Sequence, residues 1–410
     1  MCGMKLLEII PLARTAREFP DTLSYFTSSD LSAGSLVLIS IRNRRVVGIV
    51  SQSTAVVDVK TLIRKQDFSI RKIDGVLADA FLPHITLRLA SWCEKYFIVR
   101  NGWMLRAALP AFFSKPTRAL ARFTFPLANT PQLEWGTSDP YRRRPLPLFI
   151  EAPWRLRYER YTDECKALTT HSPSAQALII CPTEHTATHF FEMLEGQFPG
   201  MCLLYGSARS VRENADAWKA ARTATHRIFV GTRSAVFLPL KSPGLIIIDE
   251  EASPHHQSWE QHPTYDARDI AEKIAEVSGA QLIMGDSLPR EITWQRIQDG
   301  TIRSERSERE YKPAIILDSE RPSADGGFAA LSPALIKKIR TTLESGQRVF
   351  IFSGRRGFAS NINCRECGYS LTCPQCRAPF VIHTTSDPLT RRILICHKCL
   401  KSEAPPPSKC

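Results

Sequence analysis

Three Cys-x-x-Cys hooks near the end of this chain, Cys364/Cys367, Cys373/Cys376 and Cys396/Cys399, leave little freedom in how that end folds. A Cys-x-x-Cys turn aims two thiolates at one point, so two hooks close a tetrahedral Zn²⁺ site with no open position. Three hooks plus the final Cys410 predict two zinc sites, the second short of one ligand. Disulfides are the rival use of such hooks, but nothing else in the chain reads as secreted. The start, MCGMKLLEIIPLARTAREFP, has neither the apolar stretch nor the small-residue cleavage site of a signal peptide. No apolar run reaches the ~20 residues that span a membrane. A cytoplasmic location is expected, where thiols stay reduced and such hooks mean metal. The chain stops where an eighth ligand is expected, so it reads as a truncated or decayed version of something longer.

Lys and Arg outnumber Asp and Glu by 54 to 41, a net charge of +13. That excess fits a polyanionic partner, nucleic acid being the usual one. With 410 residues the chain can bury several cores. Residues 5–58 read as short strands; the β-branched runs 35–40 (SLVLIS) and 45–50 (RVVGIV) flank a basic turn at 41–44 and suggest a small β-barrel. Residues 76–110 read as helical, with Leu77, Phe81, Leu87, Leu89 and Trp92 as the apolar stripe. The segment from 112 to 147 is rich in Pro and Arg and reads as a linker.

From residue 148 the pattern changes to apolar strands alternating with helix-length segments. The strands are read at 148–150, 177–181 (ALIIC), 227–230 (RIFV), 245–248 (LIII) and 281–284 (QLIM). Near-continuous apolar runs fit strands buried on both faces of a parallel sheet. The fold class is therefore α/β: a small barrel-like domain over residues 1–111, the linker, and a doubly wound lobe over 148–310. A strand at 314–317, a helix at 333–343 and a strand at 348–352 (RVFIF) suggest the start of a second lobe over 311–362, followed by the cysteine module over 363–410.

The strand 246–248 delivers Asp249, Glu250 and Glu251 at its carboxyl end, where carboxylates suit a Mg²⁺ ion and an attacking water. An acidic loop that merely solvates a strand end has the same composition. The run GTRSAVFLPL (231–240) lies upstream, and YDARD (265–269) follows an aromatic-bearing loop. This ordered series resembles the primosomal protein N′ (PriA) family, superfamily 2 DNA helicases of replication restart. LSPALI (331–336), RRGFA (355–359) and the Cys364–Cys399 region resemble further parts of it. At the other end, Tyr25-Phe26 through Val50 and residues 90–110 resemble the family's 3′-end-binding DNA domain.

The departures bear on function. Where the family carries a G-x-T-G-S-G-K-T loop, this chain reads EAPWRLRY (151–158). Such a loop needs glycines to curl N–H groups around phosphate, Lys for charge and Ser/Thr for Mg²⁺. Here Trp154 and Leu156 stand at glycine positions, Glu151 adds negative charge, Arg157 replaces the Lys and Tyr158 is no magnesium ligand. ATP binding in the family's mode is expected to be lost, at ~1.5–3 kcal/mol per missing charge-assisted hydrogen bond. The family's D-E-E-H becomes DEEA, and its G-S-A-T-P becomes GDSLP (285–289). Trp259 and Tyr265 in the aromatic loop are candidates to stack on single-stranded bases, and Arg42, Arg44 and Arg45 in the hairpin turn are candidates to meet phosphate.

By resemblance, Cys373, Cys376, Cys396 and Cys399 form one zinc site. The other takes Cys364, Cys367, Cys410 and a fourth Cys beyond the chain, with His383 and His397 as nearby alternatives. The expected function is a replication restart protein that binds stalled or branched forks and promotes primosome assembly and helicase reloading without unwinding. Its expected partners are DNA, primosome proteins, single-strand-binding protein and the replicative helicase loader. The rival readings are an active ATP-dependent 3′→5′ helicase, and a zinc-dependent interaction fragment with no DNA role.

Overall fold

The structure is a computed structural model that describes residues 3–13, 20–42, 44–59, 70–110, 145–258, 263–307, 332–352, 362–364, 366–384, 392–397, 399 and 401–403. The chain divides into two compact units, Met1–Arg309 and Glu310–Cys410.

The first unit begins with six strands: β1 (Lys5–Pro11), β2 (Leu23–Thr27), β3 (Leu36–Ile41), β4 (Arg44–Ala55), β5 (Arg71–Lys72) and β6 (Gly75–Ala78). They lie in the order β5-β2-β1-β4-β3-β6. The edge strands β5 and β6 are neighbours in sequence, so one short stretch of chain joins the two edges. Within it, Ile73 N–H donates to Phe26 O (3.2 Å) and Asp74 N–H to Leu38 O (2.8 Å). The sheet is curled, as the β-branched runs flanking the basic turn suggested. Leu7, Ile9, Val37, Ile39 and Val50 fill its interior, while Ile10, Leu12, Leu36, Val47 and Ile49 face the other way. Gly34 sits at φ +89°, and a Cβ there would lie 2.3 Å from Leu82 O. Only glycine meets both demands.

The stretch read as helix from residue 76 starts instead as β6, because a strand partner is on offer along β3. Helices follow at His84–Tyr96 and Asn101–Ala107.

The lobe is built on β7 (Leu148–Glu151), β8 (Gln176–Ile180), β9 (Cys202–Tyr205), β10 (Ile228–Gly231), β11 (Pro243–Asp249), β14 (Gln281–Asp286) and β15 (Arg303–Arg306). A small hairpin of β12 (Gln257–Ser258) and β13 (Tyr265–Asp266) stands apart. The seven strands run in the order β15-β7-β14-β11-β8-β10-β9, and every neighbouring pair is parallel. Helices Trp154–His171, Glu184–Gln197, Val211–Thr223 and Ala267–Ser278 connect them. The two middle ones open with capping boxes, Thr183 with Thr186 and Ser210 with Glu213, which satisfy the first orphan N–H groups.

Barrel and lobe share one apolar core. Met104, Leu105 and Leu109 of the first belong to the same buried cluster as Trp218, Phe237 and Ile274 of the second. Trp218 stacks on Phe81 (centroids 5.1 Å apart, planes at 18°) and donates from Nε1 to Ala108 O (3.3 Å). Arg222 donates to Ala80 O (2.7 Å).

In the second unit, a helix spans Pro333–Glu344, and β16 (Val381–Thr384), β17 (Arg392–Ile395) and β18 (Ser402–Glu403) form an antiparallel sheet. The run 348–352, read as a strand, is irregular, with Phe350 and Phe352 exposed. Its backbone has no ladder partner among the described residues, and an apolar run alone does not make a strand. The strand read at 314–317 lies outside the described residues.

Candidate functional site: the carboxyl edge of the lobe sheet

Strands β7, β14 and β11 end side by side. Between β7 and the helix Trp154–His171 lie only Ala152 and Pro153, and proline offers no N–H. Trp154 begins the helix half exposed, while Glu151 pairs with Arg306 (3.0 Å). Arg157 turns inward and is 2 % exposed. Its Nε donates to Asp249 Oδ1 (2.8 Å) and its Nη1 to Ala152 O (2.8 Å). Tyr161 Oη donates to the same Asp249 oxygen (3.1 Å), and Tyr158 lies buried alongside. Burial works against the Arg157 charge, but Asp249 more than offsets it and raises the guanidinium pKa. Gly285 is part of the fit, since a Cβ there would lie 1.9 Å from Tyr161 Oη.

Two further acidic residues, Glu251 and Asp286, are also held by the protein itself. Glu251 is fully buried and accepts from Thr293 Oγ1 (2.8 Å) and from Arg290. Asp286 accepts from the Ala252 N–H (2.9 Å), so the runs 249–252 and 285–289 are bonded to each other. Glu250 adopts φ +50°; burial and then the neighbouring Asp249 charge raise its carboxyl pKa. His256 is buried and donates from Nε2 to Asp249 O (2.9 Å), and burial lowers its imidazole pKa. Below it, Arg268 pairs with Asp266 (2.6 Å) and donates to Glu251 O (2.7 Å).

On the other side of the sheet, the ends of β8 and β10 open onto a cleft of about 980 Å³. Thr183, Ser207, Thr232, Ser234 and Ser258 bring hydroxyls to it, Arg233 a guanidinium, and the barrel domain's Trp103 and Arg106 form the facing wall. Hydroxyls, guanidinium groups and one indole suit a sugar–phosphate chain with a stacked base. Glu184 stands in the same cleft and accepts from Ser207 Oγ (2.8 Å).

Of the candidate DNA contacts, Tyr265 lines this cleft but is 9 % exposed, its ring edge-on to Phe237 (5.0 Å). Trp259 lies outside the described residues. Arg42, Arg44 and Arg45 are exposed at the β3–β4 turn, with Arg42 at φ +52°. Trp103, Arg106 and Arg233 were missed by the sequence reading. The i, i+3 spacing of Trp103 and Arg106 places them on one helix face, and Arg233 follows the end of β10.

In the second unit the Sγ atoms of Cys373, Cys376, Cys396 and Cys399 all lie within 4.8 Å of one another. Cys373 and Cys399 are 3.5 Å apart, Cys376 and Cys396 3.3 Å. The hooks are turned by backbone bonds, Arg377 N–H to Cys373 O (2.8 Å) and Cys396 N–H to Lys401 O (2.9 Å). Four converging thiols match a tetrahedral metal site. Around Cys364 and Cys367 no third ligand gathers among the described residues, and Cys410 lies outside them.

Residues 9–110 match a PriA family model described as the 3′DNA-binding domain (3′BD). Over 238 residues the chain is 33% identical to replication restart protein PriA of Thermotoga maritima, covering 57% of this chain and 31% of that protein. With the Bacillus subtilis protein of the same name the figures are 28% over 242 residues, 57% and 29%. With that of Chlamydia pneumoniae they are 33% over 205 residues, 48% and 27%. The matches thus span less than a third of these relatives' length.

Proposed function

We propose that this relative of the PriA replication restart proteins recognises branched DNA as a scaffold and does not hydrolyse ATP. The observation that carries the DNA-binding half is the 3′DNA-binding match over residues 9–110, which covers the curled barrel and both of its helices. The hydroxyl- and arginine-lined cleft beside it supports a path for the adjoining strand. The buried Arg157–Asp249 pair supports the second half: the carboxylate that would hold Mg²⁺ already has a cation, and the two-residue turn after β7 supplies no ring of N–H groups for phosphate. The four-thiol cluster would hold Zn²⁺ and fix the fold of its module, one face of which would meet primosome components, single-strand-binding protein or a helicase loader. A second zinc site would draw on Cys364, Cys367 and Cys410. No described helix is long and apolar enough to cross a membrane, and a cytoplasmic location accords with this role.

Two measurements test the reading. Affinity for a fork bearing a leading-strand 3′ end should exceed that for plain duplex by roughly tenfold or more at fixed ~150 mM salt, without nucleotide. Equal, salt-dominated binding would reduce the protein to a basic surface. DNA-stimulated ATP hydrolysis should be absent; turnover near ~1 s⁻¹ that Glu250→Gln abolishes would restore the helicase reading.

A further inference from the structure

The cysteine module carries two imidazoles that the four-thiol cluster does not use. His383 lies on β16, opposite Ile393 of β17, and His397 sits in the turn between Cys396 and Cys399. Their rings stack with centroids 5.0 Å apart and planes at 21°, and their Nε2 atoms meet at 2.7 Å. His397 is exposed and His383 half-buried, so an ion can reach both from solvent. Neither belongs to the group formed by the thiols, which is complete with four.

We propose that His383 and His397 form a separate, open site for a divalent transition-metal ion of the kind imidazole favours, Zn²⁺, Ni²⁺ or Cu²⁺. In the metal-free pair one Nε2 carries a proton that the other accepts. When an ion enters, that ring moves its proton from Nε2 to Nδ1, and both Nε2 lone pairs become ligands with no net proton lost. A tetrahedral ion at ~2.0–2.1 Å from each nitrogen needs them only ~0.6 Å further apart than they stand. The remaining positions fall to water or to a donor atom of another molecule, which makes this an open site beside a closed one. Metal in the thiol cluster also steadies the turn that carries His397.

The probe is Ni²⁺, titrated calorimetrically into the zinc-loaded chain of 410 residues. His383→Asn and His397→Asn are each expected to weaken the first binding event by roughly tenfold or more, while His185→Asn, on a helix of the lobe, leaves it unchanged. Zinc content and melting temperature of each variant show that the thiol cluster and the fold persist. In the unaltered protein, diethyl pyrocarbonate should modify both rings, read by peptide mass, and Ni²⁺ should protect both together. Equal Ni²⁺ affinity in wild type and variants, or modification indifferent to Ni²⁺, overturns the proposal and leaves the pair a hydrogen bond only.

Discussion

The two halves of one parallel sheet end very differently. Where β7, β14 and β11 finish, the space is filled by the protein's own charges: Arg157 and Tyr161 on Asp249, Arg290 on Glu251. Where β8 and β10 finish, there is a cleft walled by another domain. In a doubly wound sheet the carboxyl ends are where ligands bind, so the strand order alone favours neither half. The side chains decide, Arg157 on Asp249 and Arg290 on Glu251 among them.

The sharpest way to break the contrast is Arg157→Ala. It leaves a fully buried Asp249 without its cation and should cost about 3–5 kcal/mol, read by urea denaturation. A neutral result would mean that the filled half is not held by this pair. Next, Gly285→Ala drives a methyl group into Tyr161 and Arg157 and should cost ~1–3 kcal/mol of stability. It should leave single-strand affinity intact. Trp103→Ala tests the open half: a loss of ~1–3 kcal/mol in single-stranded DNA binding is expected at unchanged stability. Arg233→Ala should weaken binding similarly across sequences and lower the slope of log K against log salt by about 1.

The smallest effect is acid sensitivity. Burial opposes the Asp266 charge, but the hydrogen bonds and charge of Arg268 more than offset it, so its carboxyl pKa lies below the ordinary value. The stability this supplies is complete above the unfolded carboxyl pKa of ~3.9 and is lost as pH falls through the folded value. Asp266→Asn should flatten the stability–pH curve below about pH 4.

The lobe was legible because its strands are buried on both faces: runs such as 245–248 and 281–284 leave little alternative to a central parallel strand. β9 was missed, since Cys202–Tyr205 (CLLY) carries none of the β-branched residues that marked the other strands. The helix Trp154–His171 was also missed, because its run of aromatic and charged residues carries only a weak apolar stripe. Of the site, the acidic residues and the thiol ligands could be found from strand ends and hook spacing. The Arg157–Asp249 pair could not. Its partners are 92 positions apart, and the sequence shows an arginine without showing where its charge goes. The cleft was equally hidden, because its walls come from two domains whose docking no local pattern records.

That docking has a practical corollary. Trp218 on Phe81, Arg222 on Ala80 and the shared apolar core make the junction resemble a domain interior cut in two. A polypeptide ending at residue 110 and another starting at residue 145 should therefore find each other when co-expressed and purify as one particle. Either made alone should tend to precipitate. Reassembly of the two pieces would then restore a cleft whose walls neither piece holds alone.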